Sequence, residues 1–527
     1  MTQSNIQGRL LDFLHKFGLI TLCACGVYIR FREYLFNRSL WLDEATLALN
    51  IVNKSFSQLM TMPLENATAP LGFVLLSKMV TMAGGDSEYA LRFIPLCVGV
   101  VSLILFIQFL RQYGDRRAIP PALILFSLSY ALLRYSTEFK PYSSDVLIAL
   151  LILWGGISTL SRKFDFRCAL RWGVGGGMLL WFSFPSVFVL GAVGMALFGR
   201  FASAQSWKEL RNLGVALALW FLSFYMFYSF SVRHIASNSS LENYWVKNFM
   251  PFPLDTFDDL LWVGESFAAM LAYSVYPGGI QPVFLGLIAF VAGSYAVFRK
   301  KWDVFLMLLM PLVLALAASA MHRYPFSDRF LLFYVPVICF LISEGLMFLI
   351  LRRPSKAFRP GLVERLIKKT SFIPRIWGYV SVAVIIFFPL MMVPVYLSSR
   401  VVYAEEIKPV LRHVQNNSKK EDVLYVYYGA EPAFNYYRKV YGLTENHSYV
   451  QGISSRENWK KYKEDVSQFK NRARVWIIFA HVYYDAGGKG EESYIVGYLE
   501  SIGTQIDVVM AEGASAYLFD LANDPQR

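Results

Sequence analysis

Long apolar runs separated by short polar segments dominate the first 400 residues. A helix that crosses a bilayer needs about 20 mostly apolar residues, whose backbone groups pair within the segment. The pattern predicts a polytopic α-helical membrane protein with about eleven transmembrane helices. These runs lie at about 11–30, 90–111, 118–135, 143–160, 168–182, 184–199, 211–231, 279–298, 303–320, 330–351 and 377–398.

The pattern changes after residue 400. Three short segments rich in β-branched and aromatic residues predict strands at 422–428, 474–480 and 516–520. Two amphipathic segments, 431–440 and 491–502, predict helices between them. We therefore expect two domains: a transmembrane domain over 1–399 and a small C-terminal α/β domain over 400–527.

The distribution of charge predicts the topology. The formal net charge is +13, but 55% of the residues are apolar and the basic residues cluster between apolar runs, so nucleic acid is not an expected partner. Basic clusters follow the second, fourth, eighth and tenth runs, at 111–117, 162–167, 299–301 and 352–375. Positively charged loops stay in the cytoplasm. We expect a multi-pass protein of the inner membrane with a cytoplasmic N-terminus, a first run retained as a signal anchor, and a periplasmic C-terminal domain.

One polar break decides this topology. Ser183–Phe184–Pro185–Ser186 interrupts the apolar stretch between residues 168 and 199. Proline lacks a backbone donor, and serine side chains satisfy the freed backbone groups, so we predict a tight turn here.

Two adjacent carboxylates, Asp43 and Glu44, follow the first apolar run. Acidic residues are common at the start of a helix, because they accept from free backbone N–H groups and complement the helix dipole. The alternative interpretation is a catalytic pair at the head of the first outer loop.

A second polar cluster lies between the third and fourth runs and contains Arg134, Glu138, Lys140 and Tyr142. Charged groups this close to membrane depth are costly unless they are paired or solvated. An ion pair among lipid headgroups and a binding site for an anionic substrate are both consistent with this cluster.

A third cluster precedes the tenth run and contains His322, Arg323 and Arg329. Basic residues are usually depleted on the outer face of a membrane. Contact with lipid headgroups is one explanation. The other is binding of a phosphate, which guanidinium groups contact through two hydrogen bonds.

The sequence contains no recognisable motif for a nucleotide, a metal ion or a disulfide framework. There is no phosphate-binding Gly-x-x-x-x-Gly-Lys-Ser/Thr loop, and the six histidines do not have the spacing of a metal site. The five cysteines lie in or beside apolar runs, which does not indicate a disulfide framework.

The three polar clusters together offer carboxylates that can accept a proton and cations that can hold a phosphate. These are the groups required to transfer a sugar from a lipid phosphate to an acceptor hydroxyl.

Four segments taken in order resemble the GT-C class of membrane glycosyltransferases, specifically bacterial members of the protein O-mannosyltransferase and aminoarabinose-transferase superfamily. They are Leu42–Ala45, Ala69–Leu71, Glu138–Tyr142 and His322–Phe330. The resemblance covers residues 1–400 and implies inverting transfer of a sugar from a polyprenyl-phosphate donor on the periplasmic face. It departs from the family at Ala69–Pro70, where many members carry two prolines or a His-Pro pair.

The resemblance also implies roles for single residues. Asp43 matches the catalytic base and Glu44 its adjacent acid. Glu138, Lys140 and Arg329 match positions that contact the donor phosphate, and Tyr142 is a hydroxyl donor there. His322 and Arg323 lie beside Arg329 in the same motif. The resemblance does not firmly imply a divalent cation, although the carboxylates of Asp43, Glu44 and Glu138 could bind one.

Two other functions remain open at this point. A transporter or flippase for a lipid-linked saccharide would use the same groups for binding alone, and an O-antigen polymerase or ligase would use the same class of donor. The expected partners are the lipid-linked sugar donor, membrane lipids and an acceptor, which could be a lipid, a glycan or a protein.

Overall fold

The structure is a computed structural model that describes residues 3–232, 245–275, 281–351, 373–403, 405–443, 449–485 and 487–522. Most of the basic segment 352–375 lies outside these ranges, as do His234 and His447. The chain divides into two compact units. We call Met1–Leu35, Ala69–Ser77 and Arg92–Val401 the membrane unit, and Phe36–Thr68, Lys78–Leu91 and Val402–Arg527 the α/β unit.

Sixteen described α-helices precede residue 400. They are α1 Gln3–Leu35, α2 Leu42–Asn53, α3 Phe56–Thr61, α4 Leu71–Gly84, α5 Glu88–Tyr113, α6 Ile119–Ser127, α7 Tyr130–Tyr135, α8 Tyr142–Thr159, α9 Phe166–Leu179, α10 Ser186–Ser203, α11 Trp207–Phe227, α12 Phe257–Val275, α13 Gln281–Lys300, α14 Trp302–Ala320, α15 Val335–Leu351 and α16 Ile373–Ser398. A 3₁₀ segment, Asp328–Tyr334, leads directly into α15.

The apolar helices make the chain a multi-pass membrane protein. Among the described residues, eight helices are long and apolar enough to cross a bilayer, fewer than the eleven predicted. They are α5, α8, α10, α11, α13, α14, the segment Asp328–Leu351 and α16. Of the other predicted spans, α9 has only 14 residues, and α1 carries Arg30, Arg32 and Glu33 in its last two turns.

The predicted span 118–135 is two short helices in the structure, α6 and α7. The hydroxyl of Ser129 accepts a hydrogen bond from the Leu132 backbone N–H at 3.3 Å and donates to the Ser274 carbonyl at 2.5 Å. A serine cap and a tertiary partner thus replace the helical hydrogen bonds at the break. The predicted turn at 183–186 is confirmed, since α9 ends at Leu179 and α10 begins at Ser186.

Close helix packing in the membrane unit requires glycine at two positions. A Cβ atom placed on Gly345 of α15 would overlap the carbonyl of Ala289 in α13, and one on Gly293 of α13 would overlap the carbonyl of Leu341. Small residues allow backbones to approach within a membrane, where packing rather than the hydrophobic effect holds helices together.

The α/β unit contains the predicted C-terminal α/β fold. Its sheet has the strand order β2-β1-β3-β5-β4, in which β1 is parallel to β2 and β3, while β5 is antiparallel to β3 and β4. The strands are β1 Val423–Val426, β2 Tyr449–Gln451, β3 Val475–Ala480, β4 Thr504–Ala511 and β5 Ala514–Asp520. The helices of this region are α17 Ile407–Asn417, α18 Glu431–Tyr437, α19 Lys460–Ser467 and α20 Glu491–Ile502.

Segments of the first loop belong to this same unit. Helix α2 packs against α18, although nearly 400 residues separate them in the chain. This packing brings the acidic pair at the head of α2 to the C-terminal α/β fold.

Candidate functional site

The acidic pair occupies the first turn of α2, and its two members have different environments. Trp41 is the N-cap residue and makes no side-chain capping bond. Glu44 is fully buried, whereas Asp43 is partly exposed and lines a large cavity. Both carboxylates benefit from the positive end of the helix dipole, but only Asp43 is open to a substrate in that cavity.

A histidine to which no sequence motif points, His481, lies near Asp43. The ring of His481 contacts that of Trp41 with centroids 5.9 Å apart, and its Nδ1 lies 2.7 Å from Oε1 of Glu405. Burial lowers the pKa of His481, but the hydrogen bond to Glu405 and the charges of Glu405 and Asp43 outweigh burial and raise the pKa above its usual value. The electrostatic environment of Asp43 thus includes a histidine from the far end of the chain.

The cavity beside Asp43 has a volume of about 1280 Å³ and lies entirely within the α/β unit. We call it the tyrosine groove and define it by Asp43, Tyr428, Glu431, Tyr436, Tyr437 and Gln451. Helices α2 and α18 form its walls together with residues of α3, α5, α17, β2 and the adjoining loops. The groove is large, and polar and apolar side chains contribute to its lining in similar measure. A carboxylate at a helix start opens into it.

A hydrogen-bond network holds the wall around Tyr437. The Tyr437 hydroxyl donates to Oε1 of Glu88 at 3.0 Å and accepts from the Leu40 backbone N–H at 2.9 Å. The ammonium group of Lys408 lies 2.9 Å from the same Glu88 oxygen and 2.6 Å from the Asn37 carbonyl. Three segments distant in sequence therefore keep one wall of the groove in place.

In the membrane unit, the second cluster surrounds a buried ion pair. Arg134 Nε donates to Oε2 of Glu138 at 2.8 Å, and Glu138 is fully buried. The other oxygen of this carboxylate, Oε1, is buried and has no hydrogen-bond partner among the described residues. Lys140 is also buried, and its backbone N–H donates to the Glu138 carbonyl at 2.7 Å. Buried charges in a membrane protein commonly mark a functional site.

The structure brings the second and third clusters together at Arg329. Its guanidinium carbon lies 5.8 Å from the ring centroid of Tyr142, 5.4 Å from that of Trp245 and 5.8 Å from that of Phe330. The rings of Tyr142 and Phe330 are themselves 6.3 Å apart. The aromatic faces attract the guanidinium group and hold it in position, and a guanidinium group placed in this way suits contact with a phosphate.

The other two basic residues of the third cluster are more exposed. His322 and Arg323 lie on the surface, and the His322 ring stacks on Phe249 with centroids 5.0 Å apart. A charge in water interacts weakly with an anion, so Arg329 is the better placed of these cations to bind a phosphate.

In the described part of the chain, no group of three or more His, Cys, Asp or Glu side chains is arranged to hold a metal ion. The five cysteines are free thiols in the structure. The site residues described above are carboxylates, cations and hydroxyl groups.

Comparison with solved structures concerns the fold. ArnT from Cupriavidus metallidurans in the apo state superimposes with a TM-score of 0.51 and 12% sequence identity, over 95% of this chain and 97% of that chain. The same values hold for ArnT bound to undecaprenyl phosphate. The chain has the GT-C fold. The oligosaccharyltransferase AglB from Archaeoglobus fulgidus, in complex with an inhibitory peptide and a dolichol-phosphate, gives a TM-score of 0.51 and 12% identity over 96% of this chain and 74% of that one.

The sequence itself matches no protein-family model and no curated protein. At 12% identity, the likeness to ArnT and AglB carries the fold and not the identity of any substrate.

Proposed function

We propose that the protein is an inverting glycosyltransferase that moves a sugar from a polyprenyl-phosphate donor to an acceptor hydroxyl on the periplasmic face of the inner membrane. Asp43 carries the proposal, because it is a partly exposed carboxylate at a helix start that opens into the tyrosine groove. The fold supports the donor class, since ArnT and AglB have been solved with undecaprenyl phosphate and a dolichol-phosphate.

In the proposed reaction, the acceptor oxygen attacks the anomeric carbon of the sugar from the face opposite the phosphate. The acceptor proton passes to the carboxylate of Asp43, acting as general base. The bond between the anomeric carbon and the phosphate oxygen breaks, and its electron pair leaves with the polyprenyl phosphate. A single displacement of this kind inverts the anomeric configuration.

The leaving phosphate needs positive charge, which the membrane unit contains. We assign Arg329 and Lys140 to the phosphate oxygens, because Arg329 is held on aromatic rings and Lys140 is buried. Glu138 positions Arg134 through their 2.8 Å hydrogen bond, and the Tyr142 ring contacts the guanidinium group of Arg329. His322 and Arg323, being exposed, have a weaker role in attracting the anionic donor.

Glu44 has a structural role in this scheme. It is fully buried beside Asp43, so it does not contact a substrate in the groove. Its role is to fix the first turn of α2 and with it the direction of the Asp43 carboxylate.

Mass spectrometry of envelope glycoconjugates in a deletion strain tests the proposed function. We expect one class of molecule to lose the mass of one sugar, and to regain it when the wild-type gene is restored but not when Asp43→Asn is restored. A strain that instead accumulates the intact lipid-linked saccharide, and in which Asp43→Asn restores the wild-type pattern, would identify a flippase.

A further inference from the structure

We infer that the acceptor is a saccharide of several sugar rings and that it binds in the tyrosine groove. This inference rests on the proposed function, since Asp43 as base requires the acceptor hydroxyl to reach the carboxylate. Asp43 lies in the wall of the groove, so a chain of sugars in the groove would present a hydroxyl to it.

The first argument is size. The groove encloses about 1280 Å³, whereas pockets for single small molecules typically enclose roughly 300–1,000 Å³. One monosaccharide would leave most of this volume filled with water. An oligosaccharide with its reacting end at Asp43 uses the length of the groove.

The second argument is the chemistry of the walls. Four tyrosines line the groove: Tyr428, Tyr436, Tyr437 and Tyr441. Six side-chain amides line it as well: Asn50, Asn53, Gln58, Asn66, Asn435 and Gln451. A sugar ring has an apolar C–H face that packs on an aromatic ring and an edge of hydroxyls that bond to amides and carboxylates. Tyr428 and Tyr436 are the half-exposed members of the four, whereas Tyr437, Tyr441 and Asn50 are buried. These two rings and the remaining amides supply both kinds of partner.

Part of this surface is rigid before any ligand binds. The Tyr428 hydroxyl donates to Oε2 of the buried Glu491 at 3.0 Å and accepts from Nε of Arg456 at 2.9 Å. The Tyr436 hydroxyl donates to the Asp86 carbonyl. Tyrosines that are fixed in advance lose little side-chain entropy when a ligand binds.

The third argument is charge. Five carboxylates and four basic side chains line the groove. Two of the basic residues are already paired within it, Lys54 with Glu65 at 3.0 Å and Lys408 with Glu88 at 2.9 Å. A nearly balanced surface of this kind suits a neutral or weakly charged saccharide better than a polyanion.

The groove is less suited to the other acceptor classes. Its walls carry nine charged side chains and six side-chain amides, whose desolvation by acyl chains would be costly. Strand β2, whose residue Gln451 lines the groove, is an edge strand of only three residues, which is short for pairing with an extended peptide.

The test uses the full chain in lipid nanodiscs and a defined probe. The probe is the water-soluble saccharide prepared from the envelope of a deletion strain by mild-acid delipidation and exhaustive protease digestion. Hydrogen exchange of residues 431–441 should slow as the probe is added. The probe concentration that gives half of the maximal protection should rise about tenfold in Tyr436→Ala, because the stacking ring is lost. In Tyr436→Phe this concentration should stay within about threefold of the wild-type value.

Tyr484→Ala provides the matched control, since Tyr484 is an exposed tyrosine of the same unit outside the groove, and it should behave as wild type. Undigested and acylated envelope material serves as the comparison for the probe. The inference is wrong if this material protects residues 431–441 and the digested or delipidated saccharide does not, if no saccharide protects them, or if Tyr436→Ala responds as wild type does.

Photo-crosslinking of undecaprenyl phosphate to the protein in the same nanodiscs separates the acceptor inference from the proposed function. Crosslinking without saccharide binding overturns only the acceptor inference, whereas failure of the lipid to bind overturns the proposed function.

Discussion

The charged residues of the tyrosine groove and those of the membrane unit, Glu138, Lys140 and Arg329, lie in opposite environments. In the groove, Asp43 is partly exposed and the surrounding acids and bases nearly balance. In the membrane unit, Glu138 and Lys140 are buried and Arg329 rests against three aromatic rings. A base must remain accessible to exchange protons, whereas a phosphate-binding cation gains strength from desolvation. The contrast supports the proposed roles, which are proton transfer for the groove and binding of the leaving group for the membrane unit.

The largest effect should come from removing the base. Asp43→Asn keeps the shape of the side chain but cannot accept a proton, so we expect kcat to fall by about 10²–10⁴-fold. The donor KM and the thermal stability of the purified full chain should change little. Steady-state kinetics and thermal unfolding measure these quantities.

Glu44→Gln is the matched control for this variant. Because Glu44 is fully buried, its replacement should lower thermal stability more than Asp43→Asn does, and should reduce kcat less. Equal losses of kcat in both variants, with equal stability, would remove the distinction between the two acids.

The next largest effect should come from Arg329, whose guanidinium group contacts three aromatic rings. Loss of a charged hydrogen bond costs about 1.5–3 kcal/mol, so Arg329→Ala should raise the donor KM by roughly 10–150-fold. Arg323→Ala removes an exposed arginine of the same loop and should change the donor KM by less than about threefold. If the two variants had equal KM values for the donor, aromatic support of the guanidinium would not matter for phosphate binding.

The smallest effect concerns pH. The pKa of His481 is raised in the folded protein, so its contribution to stability is present below the unfolded value of about 6.5 and is lost as the pH rises through the folded pKa. Because the ring is partly exposed, the contribution should stay below about 1 kcal/mol. Protection of β3 from hydrogen exchange, corrected for the intrinsic exchange rate, should therefore decline as the pH rises from about 6.5 through the folded pKa of His481.

Two substitutions check the origin of this pH dependence. His481→Gln and Glu405→Gln should both flatten it, since the 2.7 Å hydrogen bond between the two residues is its main favourable source. An unchanged slope in both variants would contradict the assignment.

Periodicity was sufficient for much of the fold. The buried strands β1, β3 and β5 and the turn at 183–186 lie where the pattern predicts them. Strand β4 was missed, because it lies at the edge of the sheet and alternates between exposed and half-buried positions. Helix α12 was also missed, although Thr256 and Asp259 exchange capping hydrogen bonds at its start and their spacing is visible in the sequence.

The candidate site was predictable in its parts but not in its assembly. The three polar clusters were found from their positions between apolar runs, and the structure joins two of them at Arg329 and Tyr142. The tyrosines of the groove and His481 carry no local signal, because the packing of α2 on α18 brings them to Asp43 from the far end of the chain. Contacts between such distant segments depend on tertiary packing, which periodicity does not report.

The most direct test of the central claim is the fate of the donor phosphate. Phosphorus NMR of the purified full chain with a synthetic polyprenyl-phosphate sugar and the envelope acceptor distinguishes a phosphodiester from a phosphomonoester. We predict that the wild-type protein converts the diester signal to that of free polyprenyl phosphate and that Asp43→Asn does not. A diester signal that persists with the wild-type protein, or conversion by Asp43→Asn at the wild-type rate, would contradict the account.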